Sequence, residues 1–333
     1  MLLIPVALFF LASSIALGEV QDQKAEGASF EERLGPDDGA ALAILFGANM
    51  RGNLELCDCT FPRGGLARRI GYLEGFKRKF KDTPVIHVEA GFLFYNSSGS
   101  APAVLLQNEQ VARAYSRWPI DVINLGRFDL FYAQRLLARE GYNRRADSLT
   151  LIKNIISANG VFGKEAAAPP PYIIKEVTGP RIKGRQNRLR VGFVGLAEPI
   201  RPAEGSDGMV RDMFESARST VPQARKECDL LVIVAHCDLE AALRLAQENP
   251  QADVVIAGNA GGLYKPRQVG KTYVVFAAPG NIQQGDLRVY MSEDGRISFK
   301  FMAMDLDSSV PADPDAAAFT EAARLEREKN RED

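Results

Sequence analysis

Two cysteines separated by a single residue, Cys57 and Cys59, form the most reactive pattern in this sequence. Cysteines at positions i and i+2 can close only a small disulfide ring, and strained or exposed disulfides are typical of thiol–disulfide exchange. Arg51 and Arg63 lie nearby in the chain and favour the thiolate form of either cysteine. Three interpretations stay open: a pair that changes its redox state, a structural disulfide, and a pair of metal ligands.

A second group of candidate ligands, His236 and Cys237, directly follows the apolar run at residues 229–235. Together with Cys57 and Cys59 they would supply three cysteines and one histidine, a donor set that suits one zinc ion. Cys228 stands at the opposite end of the same run, and we predict that it is a small buried hydrophobic residue.

Alternating strands and helices must position these residues, because short apolar runs alternate with segments of helical period. Strands are predicted at residues 43–46, 84–89, 121–125, 154–158, 172–177, 189–196, 229–235, 253–257, 272–277, 285–291 and 297–304. Helices are predicted at residues 64–81, 102–118, 129–140, 209–227 and 239–249. In open α/β sheets, ligands bind outside the carboxyl ends of the strands. We therefore expect the residues that follow these strands to line one site.

The motifs at these strand ends resemble those of the calcineurin-like metallophosphoesterases, and within them the catalytic domain of the secreted 5′-nucleotidases. The first motif of that family is Asp-x-His-Gly-x-Leu-Glu followed by Gly-Gly-x-Ala-Arg, and it is matched here at Gly52, Leu54, Glu55, Gly64, Gly65, Ala67 and Arg68. Later motifs follow in the family's order at residues 89–92, 124–129, 157–159, 191–196, 236 and 258–261. The resemblance implies a single-domain, four-layer αββα sandwich of two mixed sheets.

The positions at which the family binds two metal ions carry unusual residues in this chain. Asn49 and Arg51 stand where the family has Asp and His, and Phe92 replaces the carboxylate that bridges the metals. The remaining positions of the former metal site are Glu89, Arg127, Phe128, His236, Asn259 and Gly261. Only Glu89 and His236 are of ligand type, and a phenyl ring cannot coordinate a cation, so a two-metal centre is not expected.

Arg51 and Arg127 allow two interpretations. Their guanidinium groups could replace the charge of the cations and bind an anion bidentately. Alternatively they pair with Glu55, Glu89 or Asp129 and fill the site beside the phenylalanines, which is the interpretation that we favour from the sequence.

The Cys-x-Cys pattern after Gly-x-Leu-Glu also resembles a bacterial branch of nucleotidase-like proteins in which selenocysteine sometimes occupies one of the two positions. The resemblance implies that the chemistry of these sulfur atoms is used.

The remaining sequence predicts the organisation and location of the chain. An apolar run at residues 2–17 predicts a signal peptide that ends near residue 18, or else an uncleaved anchor. Residues 19–39 are predicted to be a flexible linker, residues 40–311 the phosphoesterase-like domain and residues 312–333 a charged helical tail. We expect export to the periplasm or the exterior, where disulfides persist, and contact with a membrane only through an uncleaved N-terminal segment.

The charge balance limits the classes of partner. With a net charge of -1, the chain has no basic excess that would favour nucleic acid.

We also expect the C-terminal substrate-binding domain of the 5′-nucleotidases to be missing.

These patterns lead to three functional hypotheses. The leading one is an exported phosphoesterase-fold protein that is not a conventional phosphohydrolase and uses the pair Cys57 and Cys59 for thiol redox chemistry, with an exported redox partner, or for binding one zinc ion. The second is a metal-dependent phosphoester hydrolase with a rearranged site at Glu89, Asp129 and His236, to which the cysteines could add ligands. The third is a module that binds an anion through Arg51 and Arg127.

Overall fold

The computed structural model describes residues 28–95, 102–138, 153–164, 166–182, 185–199, 209–262, 265–278, 280 and 282–332. The apolar N-terminal segment that predicts a signal peptide or an anchor lies outside these residues. Among the helices that are described, none combines the length and the apolar character needed to span a membrane.

Seven α-helices and twelve strands are formed by the described residues. The helices are α1 (Phe30–Arg33), α2 (Leu66–Lys79), α3 (Pro102–Arg117), α4 (Leu130–Leu136), α5 (Met213–Arg225), α6 (Leu239–Glu248) and α7 (Pro314–Glu332). The strands are β1 (Leu42–Gly47), β2 (Val85–Glu89), β3 (Val122–Asn124), β4 (Ile155–Ile156), β5 (Tyr172–Ile182), β6 (Arg185–Ala197), β7 (Leu230–His236), β8 (Val254–Ala257), β9 (Arg267–Val269), β10 (Thr272–Phe276), β11 (Gln283–Met291) and β12 (Ile297–Asp305).

The strands form two mixed six-stranded sheets. The first has the order β12-β11-β1-β2-β3-β4, in which β1 to β4 are parallel, β11 pairs antiparallel with β1, and β12 pairs antiparallel with β11. The second has the order β5-β6-β7-β8-β10-β9, with β6, β7, β8 and β10 parallel and an antiparallel strand at each edge. The predicted fold class of two mixed sheets is confirmed.

The sheets stack face to face with helices on their outer sides. Along β1, Ile44 and Phe46 belong to the cluster between the two sheets, whereas Leu45 belongs to the cluster beneath α2. Along β7, Val232 lies in the cluster between the sheets and Ile233 packs under α5 and α6. Because successive side chains of a strand point to opposite faces, a strand that is covered on both sides reads as a continuous apolar run.

The ordered structure begins before the predicted domain boundary at residue 40. Ser29 caps α1 through a capping box with Glu32, and Phe30 and Leu34 are buried against α2. Within the linker predicted at residues 19–39, residues 29–34 instead form a capped helix that these two apolar side chains anchor.

The predicted charged tail is a helix, α7, that packs against α2 and α3. Gln110 of α3 donates a hydrogen bond to the carbonyl of Ala323 at 2.9 Å. Arg327 donates to Glu55 at 2.5 Å and also contacts Gln110. The helix thus stabilises the segment that follows β1.

Candidate functional site

The carboxyl ends of both sheets meet at one edge of the sandwich. Beyond β1 and β2 the chain continues to pair, since Asn49 N–H donates to Gly91 O at 2.9 Å and Arg51 N–H donates to Phe92 O at 2.8 Å. His236, at the end of β7 in the second sheet, lies against this pair of segments. We call the group formed by Asn49, Arg51, Phe92, Arg127, Phe128 and His236 the strand-end site.

Three residues of the strand-end site have left-handed backbone conformations. The φ angles are 61° at Asn49, 54° at Arg51 and 59° at Phe92. A non-glycine residue in this region costs about 1 kcal/mol, and such strain is common at functional sites. In these conformations the side chains of Arg51 and Phe92 come into contact over the strand ends.

Asn49 joins the two sheets through its side-chain amide. Its Nδ2 donates to the carbonyl of Gly258 after β8, and its Oδ1 lies 3.1 Å from His236 Nε2. Because Oδ1 can only accept, this arrangement assigns the imidazole hydrogen to Nε2. Burial lowers the pKa of His236 to about 3, and the positive charges of Arg127 and Arg51 contribute to this shift. The imidazole is therefore neutral at physiological pH.

Two glycines allow the sheets to approach at His236. A Cβ atom on Gly91, which has φ 108°, would lie 2.7 Å from the Cβ of His236. A Cβ atom on Gly126 would lie 2.9 Å from the His236 ring. Larger residues at these positions would push the second sheet away from the first.

The two arginines of the strand-end site stack on its two phenyl rings. Arg51 Cζ lies 5.0 Å from the ring centre of Phe92, and Arg127 Cζ lies 4.4 Å from that of Phe128. The two rings are tilted neighbours with centres 4.6 Å apart, and Phe92 meets His236 edge to face at 6.0 Å. Cation–π contacts of this kind restrain a guanidinium group without neutralising its charge.

The acidic residues that could pair with these arginines are engaged elsewhere. Glu55 accepts from Arg327, and Glu89 forms a buried ion pair with Arg69 at 2.9 Å. Within the described part of the chain, neither Arg51 nor Arg127 forms an ion pair or hydrogen bond through its side chain. The pairing that we favoured from the sequence is thus not found.

Asp129 organises the backbone below the rings. Its carboxylate accepts hydrogen bonds from the backbone N–H groups of Phe92 and Gly126, each at 2.7 Å, and of Phe94 at 2.8 Å. Burial raises the pKa of Asp129 to about 7, although the three N–H groups act in the opposite direction. The side chain thus ties the loop after β2 to the loop after β3 and has few lone pairs left for a ligand.

The sequence and the structure can be compared with those of known proteins. No model of a protein family matches the sequence. The chain is 26% identical over 223 residues to the trifunctional nucleotide phosphoesterase protein YfkN of Bacillus subtilis strain 168, a match that covers 60% of this chain and 15% of that protein.

Solved structures share the architecture. The crystal structure of calcineurin-like phosphoesterase YfkN from Bacillus subtilis matches 86% of this chain and 98% of that chain, with a TM-score of 0.63 and 18% identity. The crystal structure of a 5′-nucleotidase precursor from Thermus thermophilus matches 85% of this chain and 58% of that chain, with a TM-score of 0.65 and 18% identity. The chain has the calcineurin-like phosphoesterase fold. The fold that the resemblance of the motifs implies is thereby confirmed.

The calcineurin-like phosphoesterase fold raises the question of a metal centre. In the portion of the chain that is described, no three His, Cys, Asp or Glu side chains are grouped so that they could hold a metal ion. The predicted zinc set is not assembled, because Cys57 and Cys59 are bonded to each other and Cys237 is completely buried. Burial also raises the pKa of the Cys237 thiol well above its usual value.

The disulfide between Cys57 and Cys59 lies in a surface loop after the first motif. The loop is closed by Cys57 and Arg63, since Cys57 N–H donates to Arg63 O at 2.9 Å. Arg63 in turn forms an ion pair with Asp305 at 3.0 Å, which fixes the loop to the end of β12. Cys59 is exposed, and Phe61 beside it is 74% exposed.

Two other sequence predictions concern single residues. Cys228 is buried in the cluster under α5 and α6, as the sequence predicts, and burial raises its pKa. Asn259 lies after β8 at the same edge as the strand-end site and is exposed.

Sequence reasoning missed Arg69, which lies within the helix predicted at residues 64–81. Arg69 is completely buried and supports Glu89 at the end of β2. A Cβ atom on Gly47 would lie 2.1 Å from Arg69 Nη2, so the glycine makes room for the guanidinium group. The sequence signal that could have indicated a buried arginine is a glycine at the end of a buried strand, Gly47, followed by an arginine in the next helix.

Proposed function

We propose that the chain binds a phosphate-bearing ligand of the nucleotide class at the strand-end site, without a two-metal centre. The class of ligand follows from the relatives, which are named as nucleotide phosphoesterases and 5′-nucleotidases. The chain spans 15% of the length of the curated relative and 58% of the length of the solved 5′-nucleotidase. For this proposal we therefore take from these relatives only the class of ligand.

The observation that carries the proposal is the state of the two arginines. Arg51 and Arg127 are restrained by phenyl rings, and their side chains have no ion-pair or hydrogen-bond partner among the described residues. Both guanidinium groups are close enough to lower the pKa of His236, so their charges act on the same region. Guanidinium groups at one site are well suited to a phosphate group, which each of them can bind bidentately.

The same contacts disfavour two cations at this position. Glu89 is held by Arg69, Asp129 accepts three backbone N–H groups, and His236 is turned toward Asn49. Two fixed positive charges from Arg51 and Arg127 would repel metal ions there. We infer that the residues present do not fit the two-metal centre of the family.

Calorimetric titration of the full chain with inorganic phosphate and with adenosine monophosphate tests the proposal. Removing one charge-assisted contact in Arg51→Ala or Arg127→Ala is expected to weaken binding about tenfold or more. Arg244→Ala is the matched control, because Arg244 also stacks on a ring, that of Phe214 at 3.8 Å, but lies on α6. No binding at millimolar ligand, or equal binding by all variants, would refute the proposal.

A second candidate is metal-dependent hydrolysis of a phosphoester, which is favoured by the activities in the names of the relatives. It requires a rearranged set of ligands drawn from Glu89, Asp129 and His236. The test is phosphate release from nucleoside monophosphates with Mg²⁺, Mn²⁺ or Zn²⁺, compared between the native chain and His236→Ala. Metal-dependent release that is lost in the variant would favour hydrolysis over simple binding, and no release with any of these ions would end this candidate.

A third candidate is thiol–disulfide exchange at Cys57 and Cys59, in an exported chain. It is supported by the disulfide in an exposed loop, because disulfides persist in oxidising compartments. Alkylation and mass analysis of the mature protein should find the pair interconverting between the oxidised and reduced forms under mild thiol reductants. A pair that stays in one state under all such conditions would count against this activity.

A further inference from the structure

The two sulfur atoms of the disulfide have different surroundings. Cys57 is half-buried, and its Sγ accepts a hydrogen bond from the backbone N–H of Arg63 at 3.2 Å. Cys59 is exposed, and its Sγ lies 3.1 Å from the carbonyl oxygen of Phe61. One sulfur therefore faces a hydrogen-bond donor and the other faces an acceptor.

This difference determines which sulfur can carry negative charge. An N–H group directed at a sulfur atom stabilises its thiolate, as donors do for other anions. A carbonyl oxygen disfavours a thiolate and instead accepts a hydrogen bond from the protonated thiol. The Arg63 guanidinium contributes less to this contrast, because it is paired with Asp305 at 3.0 Å.

We propose that exchange at this disulfide is directional, with Cys59 as the sulfur that is attacked and Cys57 as the leaving group. This inference rests on the thiol–disulfide exchange proposed above. Exposure acts in the same direction as charge, because Cys59 is the more accessible sulfur and the flanking Phe61 ring projects into solvent.

The reaction requires a co-reactant dithiol. Its first thiolate attacks Cys59 Sγ, the bond between Cys57 and Cys59 breaks, and the electron pair of that bond remains on Cys57 as a thiolate. The second thiolate of the co-reactant then attacks the co-reactant's first sulfur, which is bonded to Cys59 in the mixed disulfide. This attack releases Cys59, which takes a proton from water. The chain gains two electrons, and the co-reactant is oxidised to a disulfide.

Reaction with glutathione tests the direction of attack. The oxidised full chain is mixed with glutathione, quenched with acid at short times, alkylated and fragmented by mass spectrometry to locate the adduct. We expect glutathione on Cys59 in about tenfold excess over Cys57, the factor that a hydrogen bond to a charged group gives. An even distribution, or a preference for Cys57, would overturn the direction.

Two variants at one position separate the backbone N–H from the side chain. Arg63→Ala removes the guanidinium and keeps the N–H, so the preference for Cys59 should be retained. Arg63→Pro removes both, so the ratio should fall toward one. If Arg63→Pro does not fold, the result for the native chain and Arg63→Ala still decides the question.

A second measurement uses the reduced thiols. In Cys59→Ser the remaining thiol of the pair is Cys57, and in Cys57→Ser it is Cys59, while Cys228 and Cys237 stay buried in both variants. Alkylation rates should show that Cys57 loses its proton at the lower pH, and the reverse order would contradict the proposal. Failure of the native disulfide to react with excess dithiothreitol would instead refute thiol exchange itself.

Discussion

The buried ion pair between Arg69 and Glu89 should give the protein a distinctive response to pH when Arg69 is replaced by methionine. Both side chains are completely buried, and Arg69 Nη1 donates to Glu89 Oε2 at 2.9 Å. Burial raises the pKa of Glu89 to about 7, whereas the charge and hydrogen bond of Arg69 lower it. Without Arg69, the pKa of Glu89 must rise further.

The sign of the effect follows from proton linkage. The folded-state pKa of Glu89 lies above its unfolded value of 4.5, so the stability that this group contributes is complete below pH 4.5 and is lost as the pH rises through 7. In the native chain this loss of stability ends near pH 7, where Glu89 ionises in the folded state. In Arg69→Met the loss continues at higher pH, because Glu89 ionises at a higher pH there. Each pH unit costs about 1.4 kcal/mol, so the variant should lose about 3 kcal/mol relative to the native chain between pH 7 and 9.

Urea unfolding at pH 6 and pH 9 measures this difference as a shift in the midpoint. The double variant Arg69→Met with Glu89→Gln is the control, because an amide does not titrate and the extra loss at pH 9 should disappear. The reasoning is refuted if the deficit of Arg69→Met is the same at both pH values, or if the double variant shows the same dependence on pH.

Three further predictions concern packing and backbone conformation, each checked by the free energy of unfolding in urea. Gly71→Ala should lower the free energy of unfolding by about 3 kcal/mol, since its Cβ would lie 1.7 Å from the Pro311 carbonyl oxygen. Gly75→Ala should lower it by less, because the new Cβ meets only the Phe30 ring, which can move. Equal losses in the two variants would contradict this reasoning. Arg327→Ala should cost about 1–2 kcal/mol by releasing Glu55 and Gln110, and Arg324→Ala, whose partners Glu321 and Glu328 lie on α7 itself, should have a smaller effect. Arg51→Gly should be about 1 kcal/mol more stable than Arg51→Ala, because φ is 54° at this position, and the opposite order would show that the strain is absent.

The sequence was sufficient to predict the two mixed sheets, and it named the residues that lie together at their carboxyl ends. Buried strands such as residues 229–235 read as unbroken apolar runs, and the order of the motifs pointed to two mixed sheets. The first ordered helix was missed because Phe30 and Leu34 are too few apolar residues in a polar segment to give a period.

The partners of charged side chains could not be read from the sequence. Glu55 was a plausible partner for Arg51 until the structure showed it bound to Arg327, a residue 272 positions away. Helical periodicity did not single out Arg69, and only the structure shows that it is buried and paired with Glu89 on β2. Such pairings depend on how distant elements pack, which local patterns do not encode.

The position of β1 between β2 and β11 has a consequence for the synthesis of the chain. One edge of β1 pairs with residues 85–89, but its other edge pairs with residues 285–289, and β12 follows outside β11. At about 5–20 residues per second, roughly 10–40 seconds separate the emergence of β2 and β12 from a ribosome. During that interval the early strand has an unpaired apolar edge that invites wrong pairings. Folding of the first sheet is therefore expected to be a late, largely post-translational event.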